Sequence, residues 1–261
     1  VVLEALDSLK DGQTKVLEYG VSDDDAFAVG LACGGKMRVL VEPIGKQFPI
    51  ELLKELVDAI AKDRSVIYEI NIETFRRSLI YEGYEDRIRS DKSGFKNDKI
   101  TFLNVFSPKL KMDIVGAVHI AQALVQMAKI VGFLPRIIDP RESFANRERF
   151  FSVEISNDFP DIALSNSEPN SRTAVILLTH DPKLDDPALH IALKSQAFYI
   201  GALGSKKTHQ QREVRLKDAG FTEKEINRIK GPIGLDIGAS SPEEIAISIL
   251  SEVIANLRLV K

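Results

Sequence analysis

One candidate site is a glycine turn, Gly116-Ala-Val-His, between an apolar stretch and a helical pattern. In a dinucleotide-binding fingerprint, a glycine makes this turn and an acidic residue about 20 positions later bonds the ribose. Asp139 ends the next apolar stretch and fits that position. Val118 occupies the place where a second glycine would let a pyrophosphate approach. Two interpretations stay open: a dinucleotide site, or a βαβ unit whose glycine only makes the turn.

A second glycine turn, Gly201-Ala-Leu-Gly204-Ser-Lys-Lys, places two lysines at the expected start of a helix. Free backbone N–H groups, the helix dipole and the ammonium groups of Lys206 and Lys207 would all favour a bound anion. The spacing does not match the phosphate-binding loop of nucleoside triphosphatases, so ATP hydrolysis is not indicated. The alternative is an ordinary turn followed by surface lysines.

His180 lies in Thr179-His-Asp, where a run of apolar residues ends. At the edge of a parallel sheet, this imidazole could orient a ligand or carry a proton near neutral pH. No nucleophile elbow or second carboxylate accompanies it in the sequence, so catalysis is the less favoured interpretation. A glycine-rich passage over residues 231–238 precedes a capped helix and is equally well explained as a structural turn.

Cys33 stands in a short glycine-rich segment, Gly30-Leu-Ala-Cys-Gly-Gly. The glycines allow close approach to the backbone, and a thiolate there could bind a soft metal or hold sulfur. A lone cysteine is more often a small buried hydrophobic residue, and the sequence leaves both roles open. As the single cysteine it excludes an internal disulfide, and with four scattered histidines it leaves no spacing typical of structural zinc.

The composition excludes several classes of function. With 35 basic and 38 acidic side chains, the 261-residue chain has a formal charge of −3, which gives no electrostatic reason to bind nucleic acid or an anionic membrane. No apolar run approaches the roughly 18 residues of a membrane span, and no signal-peptide pattern opens the chain. We therefore expect a protein of the reducing cytoplasm.

The elements that must position these residues divide at Ser107-Pro108. Residues 1–107 predict a small α/β domain, with an exposed polar turn over 91–98. From residue 108 to 261 the pattern becomes strand, glycine turn, helix and strand, repeated, which predicts a Rossmann-like, doubly wound domain with a parallel sheet. Its strands are predicted over 112–115, 135–138, 173–179 and 197–200.

Helices in the second domain are predicted from a helical pattern and from short capping motifs. A helix is predicted over 118–131, and Asp186-Pro187 predicts the start of another through a cap and a first-turn proline. Thr222 and Ser241 each open a capping box, the second at the start of a closing helix.

Six motifs, in order, resemble the XdhC/CoxI family and span essentially the whole chain. They are Gly30-Leu-Ala-Cys-Gly-Gly with Val41-Glu-Pro, Gly116-Ala-Val-His, Asp139-Pro-Arg, Thr179-His-Asp, Tyr199-Ile-Gly-Ala-Leu-Gly-Ser and Pro232-Ile-Gly-Leu-Asp-Ile-Gly-Ala. Members usually carry Gly-Ala-Gly-His where this chain has Val118. They also carry a Ser-Gly-Gly-Cys motif upstream of the helix in which this chain begins, so a role that needs two cysteines is not carried over.

The family comprises accessory proteins that bind molybdenum cofactor (molybdopterin) and deliver it to enzymes similar to xanthine dehydrogenase or carbon monoxide dehydrogenase. The resemblance therefore implies a cofactor chaperone without turnover. The implied partners are a xanthine dehydrogenase-like molybdoenzyme, a cysteine desulfurase and a second copy of the chain. The implied cofactor-binding residues are Cys33, Gly34, Gly35, Gly116, Ala117, His119, Asp139, Arg141, His180, Gly201, Gly204, Ser205, Lys206 and Asp236. Cys33 is also the implied metal ligand.

The residues themselves leave open two alternatives to a cofactor chaperone. An NAD(P)-dependent oxidoreductase would use the glycine turn at Gly116 and requires saturable binding of a nicotinamide dinucleotide. An interaction module would keep the Rossmann fold without its ligand.

Overall fold

The computed structural model describes residues 1–21 and 35–259 of the chain. The chain divides into two compact units, Val1–Pro108 and Lys109–Lys261. The predictions for Cys33 and Gly34 lie outside the described residues, and Gly35 is the first residue of a strand in the first unit. In the described part of the chain, no helix is long and apolar enough to cross a membrane.

The first unit combines short helices with antiparallel strands. Its described elements are α1 (Val2–Asp11), β1 (Lys15–Val21), β2 (Gly35–Val41), α2 (Ile50–Ala61), β3 (Val66–Asn71), β4 (Arg77–Ile80), α3 (Glu85–Ser90), β5 (Gly94–Phe95) and β6 (Thr101–Phe106). Strands β1 and β2 pair with each other, and the other four form a sheet in the order β4-β3-β6-β5. Helix α2 packs on this sheet, because Leu56 and Ala59 share a buried cluster with Val66.

The predicted polar turn over residues 91–98 is partly wrong, because it contains strand β5. Phe95 pairs with Phe102 of β6, and the two rings meet edge to face with their centroids 5.1 Å apart. The guanidinium of Arg38 lies 4.2 Å from the centroid of the Phe95 ring. The Arg87 guanidinium also donates to the carbonyls of Gly94 at 3.4 Å and Phe95 at 3.1 Å. Aromatic contacts and these bonds together hold a short strand within the polar stretch.

The second unit contains a parallel sheet between two layers of helices. Its elements are β7 (Lys111–Val115), α4 (His119–Ile130), β8 (Leu134–Ile138), β9 (Glu154–Ser156), α5 (Pro160–Asn166), β10 (Thr173–Leu177), α6 (Pro182–Lys194), β11 (Tyr199–Ala202), α7 (Lys206–Asp218), α8 (Glu223–Ile226), β12 (Ile229–Lys230) and α9 (Pro242–Arg258). The strand order is β12-β11-β10-β7-β8-β9, with all pairs parallel. The predicted Rossmann-like fold is confirmed.

Residues of the central strands alternate between two hydrophobic clusters, one on each face of the sheet. Ala174 and Ile176 pack in the cluster that includes α4 and α9. Val175 and Leu177 pack in the cluster that includes α5, α6 and α7. Since both faces are covered, all five residues of β10 are buried, as its unbroken apolar run predicts.

Two predicted boundaries in this unit are wrong. Helix α6 begins at Pro182, not at Asp186-Pro187, and the Asp181 carboxylate caps it by accepting from the Lys183 N–H at 2.9 Å. Two Asp-Pro pairs lie five residues apart, and the first one starts the helix while Pro187 lies inside it. Strand β11 lies two residues later than predicted, so Gly201 is inside the strand. The capping boxes at the starts of α8 and α9 are confirmed.

Candidate functional site

The residues predicted to contact a ligand in the second unit follow the ends of neighbouring strands. Gly116 follows β7, Asp139 follows β8, His180 comes shortly after β10, and Gly204 comes shortly after β11. Because the strands are parallel, these ends meet at one edge of the sheet, here called the carboxyl edge. The strand order reverses direction between β7 and β10, and open α/β sheets bind ligands at such a switch point.

Gly116 brings the loops after β7 and β10 into contact at this switch point. Its φ angle of 107° lies in a region that residues with a side chain rarely adopt. A Cβ atom at this position would lie 2.7 Å from Cγ2 of Thr179. Its N–H donates to the carbonyl of Ile138 at 2.9 Å. Backbone conformation and lack of space both require glycine here.

Asp139 is fully buried beneath the turn and accepts four hydrogen bonds. The donors are the Ala117 N–H at 2.9 Å and three groups of Arg141: its N–H at 3.0 Å, Nε at 2.8 Å and Nη2 at 2.7 Å. Burial opposes ionisation, but these donors outweigh it and hold the pKa of Asp139 below its ordinary value. A carboxylate offers about four acceptor positions, and the protein fills them all.

This geometry gives Asp139 a positioning role and does not support the dinucleotide fingerprint. A ribose hydroxyl would have to displace a charged donor from the carboxylate. Direct contact between Asp139 and a ligand stays a prediction. The Arg141 side chain, whose guanidinium the carboxylate holds, is 41% exposed and faces solvent with its remaining surface.

Two further residues, Arg149 and Phe144, lie beside Arg141 and the turn after β7. The sequence motifs do not include them. Nη1 of Arg149 donates to the carbonyls of Ala117 at 2.8 Å and Phe144 at 2.7 Å. The Phe144 ring is 40% exposed and lies 4.4 Å from the guanidinium of Arg141. The sequence signal that could have predicted this contact is the presence of two arginines, Arg141 and Arg149, on either side of Phe144 in the loop after β8.

Helix α4 begins at the same turn, with Val118 as its N-cap residue and no side-chain cap. The half-buried Val118 side chain packs against the cluster that includes α4 and α9. Ala117 is buried, whereas His119, the first residue of α4, is exposed. The inner side of the turn, formed by Ala117 and Asp139, is therefore buried and hydrogen-bonded within the protein. Its outer side is the N-terminus of α4, which can attract an anion.

His180 is exposed and has a φ angle of 60°. The residues on either side of His180 make structural hydrogen bonds. The Thr179 hydroxyl bonds to Asp185, and the Asp181 carboxylate caps α6. Within the described residues, the His180 imidazole has no hydrogen-bond partner that could set its tautomer. Ligand contact by His180 stays a prediction.

A buried ion pair between α6 and α7 lies beneath these loops, and no sequence motif predicted it. Asp185 and Arg212 are each about 2% exposed, with Oδ2 of Asp185 3.6 Å from Nη2 of Arg212. The same Nη2 donates to the carbonyl of Leu203 at 3.0 Å. Burial raises the pKa of the Asp185 carboxyl, against the effects of Thr179 and Arg212. The pair joins the loops that follow β10 and β11.

His209 extends this network to the loop after β12. Nη1 of Arg212 lies 3.4 Å from Nδ1 of His209, and burial lowers the pKa of His209. A neutral imidazole can accept at Nδ1 and present its other N–H to Glu213, 3.3 Å away. The His209 ring packs so closely on Gly231 that a Cβ atom there would lie 2.1 Å from Nδ1.

The second glycine turn has the predicted form at its helix end. Gly204 has a φ angle of 144°, and the Ser205 hydroxyl caps α7 by accepting from the Thr208 N–H at 3.1 Å. Lys206 and Lys207 are the first two residues of α7 and are exposed. Gly201 packs closely on the loop after β12, because a Cβ atom there would lie 2.5 Å from Cδ1 of Ile233, and its contact with a cofactor stays a prediction. Gly201 is a packing residue inside β11.

Lys206 and Asp236, two predicted site residues 30 positions apart in sequence, line one cavity of about 400 Å³ beside α7. The loop that carries Asp236 is fastened to α9. Its Gly234 N–H donates to Oε2 of Glu252 at 2.9 Å, and the Ser248 hydroxyl bonds to the carbonyl of Leu235. The structure thus brings some of the predicted residues of this unit together in two places: Gly116, Ala117, Asp139 and Arg141 at the turn after β7, and Lys206 and Asp236 in this cavity. His180 and Gly201 belong to neither place.

No group of three or more histidine, cysteine, aspartate or glutamate side chains within residues 1–21 and 35–259 is arranged to hold a metal ion. Cys33, the predicted metal ligand, lies outside those ranges.

Comparisons with known proteins agree with this architecture. A family model described as the XdhC Rossmann domain matches residues 112–253. The chain is 27% identical over 256 residues to the molybdenum cofactor insertion chaperone PaoD of Escherichia coli (strain K12), covering 98% of this chain and 70% of that protein. It is 24% identical to a probable xanthine dehydrogenase subunit of Bacillus subtilis (strain 168), covering 97% and 80%. The crystal structure of a xanthine dehydrogenase from Bacillus halodurans matches with a TM-score of 0.72 and 27% identity, covering 99% and 80%.

Proposed function

Because this chain belongs to the XdhC family, we propose that it is an accessory protein that binds molybdenum cofactor and delivers it to a molybdoenzyme similar to xanthine dehydrogenase or carbon monoxide dehydrogenase. Two relatives support this proposal by their names: a molybdenum cofactor insertion chaperone and a probable xanthine dehydrogenase subunit. The observation that carries it is the cavity at the start of α7, which Lys206 and Asp236 both line beside the capped helix N-terminus.

The chemistry of the cargo fits the residues at the carboxyl edge. Molybdenum cofactor is a phosphate-bearing pterin with a soft, sulfur-ligated metal. Its phosphate suits the N-terminus of α7, where the dipole and the ammonium groups of Lys206 and Lys207 act together. For the metal end we propose the Cys33 thiolate, since soft metals prefer sulfur ligands.

The NAD(P)-dependent oxidoreductase is not favoured by the geometry. The acidic residue that would bond the ribose, Asp139, has its acceptor positions filled by Ala117 and Arg141. The hydroxyl next to His180 in sequence, that of Thr179, is bonded to Asp185 and is not paired with the imidazole. We therefore propose binding and transfer of a cofactor without catalytic turnover.

The direct test is the small molecule that the protein retains. We expect the protein, purified from cells that make molybdenum cofactor, to carry a pterin detectable by fluorescence after oxidation. Cys33→Ser should lower pterin and molybdenum retention and leave the melting temperature nearly unchanged. A retained nicotinamide dinucleotide, or a protein free of pterin from such cells, would overturn the proposal.

The anion site at α7 has its own test. Changing both Lys206 and Lys207 to Gln should weaken cofactor binding and flatten its dependence on salt concentration. The control variant changes Lys54 and Lys224, two exposed lysines elsewhere, to Gln and matches the change in net charge. Equal affinity of the two double variants at low salt would remove the lysines of α7 from the site.

We further propose two partners besides the target enzyme: a cysteine desulfurase that supplies sulfur, and a second copy of the chain. Co-purification with the desulfurase and light scattering of the purified protein test these separately. A monomeric mass at all concentrations would exclude self-association.

A further inference from the structure

The cavity beside α7 has mostly apolar walls. Leu203, Ile233, Leu235, Ile237 and Ile245 line it, and its volume of about 400 Å³ lies within the range of small-molecule sites. Leu235 is 42% and Ile237 is 55% exposed, so these two apolar side chains of the loop are only partly covered by the described residues. Apolar side chains of this kind can pack against the faces of a planar ring.

Two charged side chains stand in this apolar lining. Lys206 and Asp236 line the cavity, and neither has an ion pair or a side-chain hydrogen bond among the described residues. Both are exposed. An apolar pocket with a few polar groups placed for orientation is the usual form of a ligand site.

We propose that this cavity binds a planar heterocycle through a 2-amino-4-oxopyrimidine edge, with Asp236 as the residue that selects it. This proposal rests on the proposed function and names the part of the cargo that the cavity takes. The edge presents a ring N–H and an adjacent amino group, two parallel donors that match the two oxygens of a carboxylate. Pterin and guanine both carry this edge.

Lys206 completes the proposed site at the start of α7. A phosphate attached to the heterocycle can reach the ammonium group and the helix N-terminus while the ring lies against Leu235 and Ile237. Cytosine and a 2,4-dioxo ring present acceptor oxygens toward the carboxylate, and lone pairs facing lone pairs disfavour them.

The test compares two ring systems of equal shape. Pterin and lumazine share the same bicycle, but lumazine has a 2-oxo group in place of the 2-amino group. We expect the protein to bind pterin about tenfold or more tightly than lumazine, by fluorescence titration and calorimetry. Asp236→Asn should remove this preference, and Asp218→Asn, at an exposed position outside the cavity, should keep it.

Equal affinity for pterin and lumazine in the unmodified protein, or an undiminished preference in Asp236→Asn, would overturn the proposal. Because Asp236 is exposed, its variant should keep the melting temperature, and this is measured on the same preparation. Guanosine monophosphate against inosine monophosphate forms a second arm. A preference for the guanine nucleotide that exceeds the one for pterin supports the edge and identifies a nucleotide as its source.

Lys206→Gln provides an independent check of orientation. It should weaken guanosine monophosphate binding and leave guanosine unchanged; equal losses for both would contradict the placement of the phosphate. The outcomes also separate this proposal from the chaperone function. Cofactor retained from cells without a pterin preference overturns the assignment of the cavity alone, whereas a pterin preference without retained cofactor overturns the chaperone function alone.

Discussion

Asp139 shows how a residue that resembles a ligand-binding acid can serve the fold instead. Its carboxylate is buried, and all of its acceptor positions face Ala117 and Arg141. Through these bonds it fixes the turn after β7 and aims the Arg141 guanidinium along Phe144. We therefore expect Asp139 to influence a ligand through Arg141 and the turn.

Asp139→Asn should lower the free energy of unfolding by about 1–3 kcal/mol at pH 7, because an amide cannot accept four bonds and places its NH₂ against Arg141. The folded-state pKa of Asp139 lies below the unfolded value of about 3.9. Its stabilising contribution is therefore present above about pH 4 and is lost as the pH falls through the folded-state pKa. Urea denaturation at a series of pH values should show the deficit shrinking in acid. A deficit independent of pH would contradict this account, and Asp218→Asn is the exposed control.

The Asp185–Arg212 pair differs from its neighbour on the same two helices. Asp185 and Arg212 are buried, and Oδ2 of Asp185 lies 3.6 Å from Nη2 of Arg212. Asp186 and Arg215 are more exposed, although Oδ2 of Asp186 lies only 2.6 Å from Nε of Arg215. Arg212→Met leaves a buried carboxylate without its cation and should cost about 3–5 kcal/mol. Arg215→Met should cost less than Arg212→Met, because Arg215 is 37% exposed and Asp186, once unpaired, can be solvated. Chemical denaturation measures both.

A double variant decides whether the buried charge causes the loss. Asp185→Asn combined with Arg212→Met should recover part of the stability lost in Arg212→Met alone, because the uncompensated carboxylate is gone. Additive losses would show that the two side chains are not coupled.

At the scale of elements, the loops after β7 and β10 depend on Gly116. Gly116→Ala introduces a Cβ atom 2.7 Å from Cγ2 of Thr179 at a φ angle of 107°. Gly132→Ala is the matched control, with a φ angle of 91° and no atom within 4 Å of the added Cβ. Both variants carry backbone strain of about 1–2 kcal/mol, and Gly116→Ala should lose more.

Thr179→Ser tests the cause of that extra loss, because it removes the clashing methyl group and keeps the hydroxyl that bonds to Asp185. In the Gly116→Ala background it should restore part of the melting temperature. The same substitution with Gly132→Ala should restore nothing. Equal melting temperatures for the two alanine variants would contradict the steric argument.

Most elements of the second unit could be predicted because their signals are local. The apolar run of β10 indicates a strand covered on both faces, and the capping boxes mark α8 and α9 directly. The start of α6 could not be predicted, since Asp181-Pro182 and Asp186-Pro187 carry the same signal. The role of Gly201 depends on whether this residue lies in the strand or in the loop that follows, which only the packing of Ile233 settles.

The site was less predictable than the fold, because its groups come from distant parts of the chain. Arg212 meets Asp185 only because α6 and α7 pack on the same face of the sheet. Asp236 reaches the Lys206 cavity because Glu252 and Ser248 of α9 hold its loop. The residue types at these positions do not predict such contacts from the sequence, whereas the spacing of the glycines is sufficient to predict the glycine turns.

At the scale of the whole molecule, both hydrophobic clusters that cover the parallel sheet lie entirely within the second unit. Each cluster draws on strands and helices from within this unit, and the sheet is complete without strands from the first unit. A chain segment with its own core and paired strands meets the requirements for an independent domain. We therefore propose the boundary near Ser107-Pro108 as a domain boundary.

Residues 109–261, expressed alone, should fold cooperatively and bind pterin with the affinity of the cavity in the full chain. The cavity supports this expectation, since Lys206, Asp236 and the α9 residues that hold its loop all belong to the second unit. Calorimetric and van't Hoff enthalpies of unfolding should agree for this fragment. Limited proteolysis of the full chain should cut near Pro108 before it cuts β10, whose backbone is buried on both faces. A fragment that fails to fold, or first cleavage within β10, would show that the second unit needs the first for its stability.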